Sequence, residues 1–170
     1  MKRTNAHGLA LVTVLAFGTP STACPLVRLA RIANEPTTSM RHKEVPLTQR
    51  ESTEGGQWDI YLRPDGALYS IIRTDFGETG QRKIRASFLT KDEFVVISTT
   101  IQYRVSFREE YPFKVASTIS TLYFFCEDVI YIPAMMSRES SATQSLDEAK
   151  RLKAVFFESS DVASYIKRIK

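Results

Sequence analysis

The stretch FVVISTTIQYRVSFR, residues 94–108, decides the fold. Val95, Ile97, Ile101, Tyr103, Val105 and Phe107 share one parity, while Ser98, Thr100, Gln102, Arg104, Ser106 and Arg108 share the other. Successive side chains of a strand point to opposite faces, so this is a strand with one face buried and one wet, as in an antiparallel sheet. It runs well past the usual strand length of about five or six residues, which predicts a bulge or sharp bend near Thr99 or Thr100.

Upstream, Trp58, Ile60 and Leu62 alternate with Asp59, Tyr61 and Arg63 before Pro64-Asp65-Gly66. Proline presets the torsion and glycine relaxes it, so the chain turns there into a second strand over 67–74. Phe76 to Gly80 makes the next turn, residues 82–89 a third strand with Ile84, Ala86 and Phe88 on one side, and Lys91-Asp92-Glu93 another turn. Downstream, residues 117–132 form a strand or a pair broken at Glu127-Asp128. After a polar linker over 137–144, Ser145 and Glu148 match a capping box, and Leu146, Ala149, Leu152 and Phe156 recur at helical spacing. Val162, Ile166 and Ile169 follow as a short second helix after Ser159-Ser160-Asp161. The expected fold is α+β and mainly β: an antiparallel meander of five or six strands, strongly bent or partly closed, with a C-terminal helix packed on it.

Gly77-Glu78-Thr79-Gly80, the long strand to Tyr103, Tyr123-Phe124-Phe125 and the helix from Leu146 together resemble small exported bacterial β-meander proteins, uncharacterised as a group, with a C-terminal helix. The resemblance covers residues 57–170 and implies a fold but no activity. Where that pattern has an Asp-Gly turn, this chain has Cys126-Glu127-Asp128.

The front of the chain reads as an address. Lys2 and Arg3 precede an apolar run from Leu9 to Phe17, then Gly18, Pro20 and the small residues Ser21-Thr22-Ala23 before Cys24. That order is a secretory signal, residues 1–23, and the run is about half the ~20 residues a spanning helix needs. Residues 24–56 then form an irregular lead-in to a single domain over 57–170, with no transmembrane span in the mature chain. Losing residues 1–23 removes two bases and no acid, so a formal charge of +4 becomes +2. Charges of mixed sign at that balance give no phosphate-binding stripe, which excludes nucleic acid as a partner.

The two cysteines leave two alternatives. Cys24 and Cys126 close a disulfide in a periplasmic or secreted protein. Otherwise Cys24 carries a lipid that anchors the chain at the envelope, although Ser21 stands where a lipoprotein signal has leucine.

No catalytic, cofactor-binding or metal residues are assigned. The mature chain keeps one histidine, His42, in the lead-in, expected as a solvated loop residue without a partner to position it as a base. Zinc needs several nitrogen or sulfur ligands, which the composition does not supply. Ser164 and Lys167 match Ser-x-x-Lys without the companion motifs. Asp75 and Glu78 flank Gly77 as solvated turn residues.

What remains is the wet side of the sheet. Arg63, Arg73, Arg85 and Arg104, beside Tyr103, form a candidate binding surface, because arginine and tyrosine favour interfaces. The expectation is an exported, non-enzymatic binding protein of the bacterial envelope with a protein partner, such as an inhibitor or immunity protein for an envelope enzyme or toxin. The alternative is a carrier or sensor of an apolar ligand held between sheet and helix.

Overall fold

Local pairing along the chain builds a seven-stranded antiparallel sheet in the order β1 to β7. The computed structural model of the protein describes residues 24–48, 54–105, 114–133 and 139–170, of which 139–145 by backbone alone. The leader, the strand's end at Phe107 and Arg108, and the Ser145 side chain lie outside the described residues.

The strands are β1 (Arg41–Pro46), β2 (Gly56–Leu62), β3 (Leu68–Gly77), β4 (Gly80–Phe88), β5 (Glu93–Tyr103), β6 (Val115–Cys126) and β7 (Val129–Tyr131). Turn chemistry sets the joints. Between β2 and β3 the Gly66 amide donates to the Arg63 carbonyl (2.9 Å) and Gly66 sits at φ 84°, the glycine-favoured end of a three-residue hairpin loop. Gly77 pairs with Gly80 around Glu78-Thr79, and a Cβ on Gly80 would meet the Ile101 carbonyl oxygen at 2.3 Å. Only glycine lets β4 and β5 approach there. Glu127, at φ 54°, turns β6 into β7, and its amide donates to the Asp92 carbonyl of the β4–β5 turn (2.8 Å).

Several expectations change. Among the described residues the sheet has seven strands, not five or six, and it is open, with β1 and β7 at its edges. The lead-in contains a helix, α1 (Leu26–Asn34), and strand β1. Strand β5 ends at Tyr103 and pairs regularly through Thr99 and Thr100; its register shift falls at Gln102/Tyr103, where β6 carries an extra residue. Helix α2 (Glu139–Phe157) begins before Ser145, so the segment read as a linker is partly helical and Glu148 lies inside the helix rather than at a cap. The short α3 (Ala163–Ile166) follows.

The largest correction concerns the wet face. One face of the sheet, with Trp58, Ile60, Ile71, Ile84, Phe88, Phe94 and Val96, buries Ala149, Leu152 and Phe156 of α2 and Val162 beyond it. The other is covered by α1, whose Leu29, Ile32 and Ala33 pack on Tyr69, Val95 and Phe124. Each fully buried side chain of this size is worth roughly 1.5–3 kcal/mol, so both layers are substantial. A register shift opposite Tyr61/Leu62 makes Tyr69 an extra residue, which turns it toward α1 while Leu68 and Ile71 stay in the larger core. Cys24 and Cys126 form the expected disulfide across a sequence separation of 102, pinning the start of α1 to the end of β6.

Candidate functional site

The sheet separates the five residues of the expected binding surface instead of gathering them. Arg85 belongs to the α1 interface. Its Nη2 donates to the Glu35 carbonyl (3.0 Å) and its Nε to the hydroxyls of Ser87 (3.1 Å) and Ser70 (3.3 Å). Beside it the Tyr69 hydroxyl donates to the Glu35 carboxylate (2.8 Å), and burial, reinforced by that acceptor, pushes the Tyr69 phenol well above its usual range. A helix ends with carbonyls lacking partners inside it, and a cation there is favourable, so Arg85 caps α1 through the carbonyl of Glu35, the residue that follows the helix. Arg63 lies over the Tyr69 ring, 5.3 Å from its centroid. Tyr103 and Arg104 stand at the far end of β5, where Arg104 is exposed.

Arg73 is on the opposite face and is buried, not wet. Its Nε and Nη2 donate to the Asp75 carboxylate at 2.8–3.1 Å, and its guanidinium lies 5.8 Å from the Trp58 ring centroid. Asp75, expected as a solvated turn residue, is therefore buried in an ion pair.

Arg73 borders a cleft of about 440 Å³ between the sheet and α2, with Trp58, Arg82, Glu148, Arg151, Glu158 and Asp161 among its lining. Arg82 pairs with Glu148, whose other oxygen lies 3.6 Å from Arg151. Also in the lining, Asp161 accepts from the Thr48 hydroxyl, from the Thr48 amide (2.9 Å) and from the Trp58 indole N–H (3.1 Å). Burial works against this carboxylate, but the two Thr48 bonds, the Trp58 bond and the nearby Arg73 charge outweigh it and hold Asp161 below the usual carboxylate range. The cleft thus presents fixed charges of both signs on side chains whose geometry other residues determine. Charged side chains held in this way can form charge-assisted hydrogen bonds with polar or charged groups.

Sequence reasoning missed Arg82, Arg151 and Asp161, and assigned Glu148 to a cap. One signal was available: a buried Trp58 needs an acceptor for its indole N–H. Its acceptor lies 103 residues away, and nothing local to either residue names the other.

His42 lies on β1, not in a loop, and does have a partner. Its Nε2–H donates to Asp59 on β2 (2.8 Å), its ring stacks on Tyr61 (4.9 Å between centroids), and Gln57 donates to the same carboxylate (3.2 Å). With Glu44 the ligand atoms of His42 and Asp59 lie within 4.8 Å of one another, one nitrogen and two carboxylates able to face a divalent cation. Ser164 and Lys167 are both exposed around α3. Among the described residues no helix is long and apolar enough to cross a membrane. Comparison of the chain with protein-family models, curated proteins and solved structures finds no match.

Proposed function

We propose that this chain is an exported, non-enzymatic binding protein of the bacterial envelope, an inhibitor or immunity protein that engages an envelope enzyme or toxin through the charged cleft between the sheet and α2. The observation that carries the reading is the cleft's set of fixed charges. Arg82 is tied to Glu148, Arg73 to Asp75, and Asp161 to Thr48 and Trp58. Preset charges of both signs favour electrostatic complementarity with a protein surface. Six of the thirteen lining residues are ionisable, which favours a polar partner over an apolar ligand.

Export is supported by the leader-like residues 1–23 and by the disulfide, a bond that persists in oxidising compartments. The bond also takes up the Cys24 sulfur that a lipid would need, which favours the unanchored form.

The test inverts two charges at the cleft rim and keeps the net charge constant. Arg151, with 77 % of its side chain exposed, becomes glutamate and Glu158 becomes lysine. Cross-linking in envelope extract is expected to lose the wild-type partner by at least about tenfold, the scale of about 1.4 kcal/mol, with little change in melting temperature. A variant that folds normally and captures the same partner to the same extent overturns the reading.

A further inference from the structure

Strand β7 covers only the last three residues of β6, through the pairs Phe124↔Tyr131, Phe125↔Ile130 and Cys126↔Val129. Continuing that register places Pro133 opposite Leu122. Proline has no N–H to give the ladder, so the pairing stops there. From Ser117 to Leu122 no described strand lies along the outer edge of β6. A two-residue turn is closed by a hydrogen-bonded pair, here Cys126 with Val129, and the antiparallel pattern alternates from it. The backbone N–H and C=O of Thr118, Ser120 and Leu122 therefore point away from β5. Exposed edges are usually guarded by charge or proline, yet no residue from Val115 to Cys126 is charged or a proline. Ile119 is 64 % exposed on this edge.

We propose that this edge pairs with the same edge of a second copy of the chain, antiparallel about a two-fold axis through Ile119, joining two sheets into one. The segment is its own complement. Reversed on itself about Ile119, STIST (residues 117–121) sets Ser117 against the partner's Thr121 and Thr118 against the partner's Ser120, and brings Ala116 toward the partner's Leu122. Hydroxyl meets hydroxyl, apolar meets apolar, and no like charges oppose, which are the pairings that stabilise neighbouring strands. The same hydroxyl pairing already exists on the inner side, where Thr99 and Ser120 lie 2.9 Å apart. In this register Thr118 and Ser120 of one copy exchange backbone hydrogen bonds with Ser120 and Thr118 of the other, and the outward-pointing amides acquire acceptors. A C2 contact of this kind closes on itself and ends at two copies.

The test is the mass in solution of the protein expressed from the full chain, by sedimentation equilibrium from about 1 µM to about 1 mM. Wild type is expected to reach twice the chain mass and to fall toward one on dilution. Ile119→Lys places two ammonium groups together on the axis, and Ser120→Pro removes an outward N–H without touching the β5–β6 ladder. Each is expected to weaken association at least about tenfold while Ile119→Lys melts like wild type. A wild-type mass of one chain throughout overturns the proposal and leaves the edge to an extended segment of another protein. A dimer that survives both substitutions also overturns it.

Discussion

Replacing Asp161 by alanine tests whether one carboxylate clamps the segment after α2 to the residues after β1 and to β2. The substitution strands the indole N–H of Trp58, which is fully buried, without its acceptor. A buried donor left unsatisfied costs about 1–3 kcal/mol. The two bonds from Thr48, an exposed residue, are partly replaced by water and add about 1 kcal/mol together. The expected loss is thus about 2–4 kcal/mol, a large share of the roughly 5–15 kcal/mol that holds a domain. Asp161→Asn keeps an acceptor oxygen but not the charge and is expected to lose about 1 kcal/mol. Acid sharpens the distinction. Because Asp161 is held below its ordinary value of 3.8 in the folded chain, its contribution is complete above that pH and is lost as pH falls through the lower folded-state value. The gap between wild type and Asp161→Asn should therefore be constant near neutrality and narrow on acidification below about pH 4. Urea unfolding read by tryptophan fluorescence suits the assay, since Trp58 is the only tryptophan and sits at the contact. The midpoint should move with the slope unchanged. An Asp161→Ala chain within about 0.5 kcal/mol of wild type, or a gap that widens in acid, would refute the reasoning.

Two further outcomes follow from the α1 layer. Reduction, or Cys126→Ser, removes a cross-link spanning 102 residues and is expected to cost up to about 4–5 kcal/mol on the chain-entropy estimate, seen as a lowered melting temperature; two reactive thiols in the unreduced, unfolded protein would contradict the bond. Arg85→Glu is expected to cost about 1.5–3 kcal/mol because it abandons the Glu35 carbonyl just past α1 and two serine hydroxyls, whereas exposed Arg104→Glu should stay within about 0.5 kcal/mol; equal melting curves for the two would show that Arg85 does not cap α1.

The meander from Trp58 to Tyr131 was legible because its signals are local. Alternation places Trp58, Ile60 and Leu62 on one face, and Pro64-Asp65-Gly66, the Gly77–Gly80 turn and Glu127-Asp128 mark the reversals. Ala149, Leu152 and Phe156 likewise declare one face of α2, and all three are buried. Strand β1 gave no such signal: nearly all of it is exposed, and an edge strand wet on both faces shows no alternation of hydrophobicity. The start of α2 was missed for a similar reason, since residues 139–145 are polar and small and carry no apolar period.

By itself the sequence determined the succession of strands from Trp58 to the segment that carries β6, the apolar face of α2 and the two cysteines available for a bond, because periodicity, turn torsions and thiol count belong to short stretches of chain. Only the tertiary structure decided which faces are dry. Alternation states that Arg85 and Ile84 point oppositely, but whether the side of Arg85 meets water depends on α1, some 50 residues upstream. Asp161 looked like any loop acid until folding brought it to Thr48 and Trp58, more than 100 residues away. Which second face is covered and which distant polar groups meet are set by elements far apart in sequence, and no local pattern encodes that.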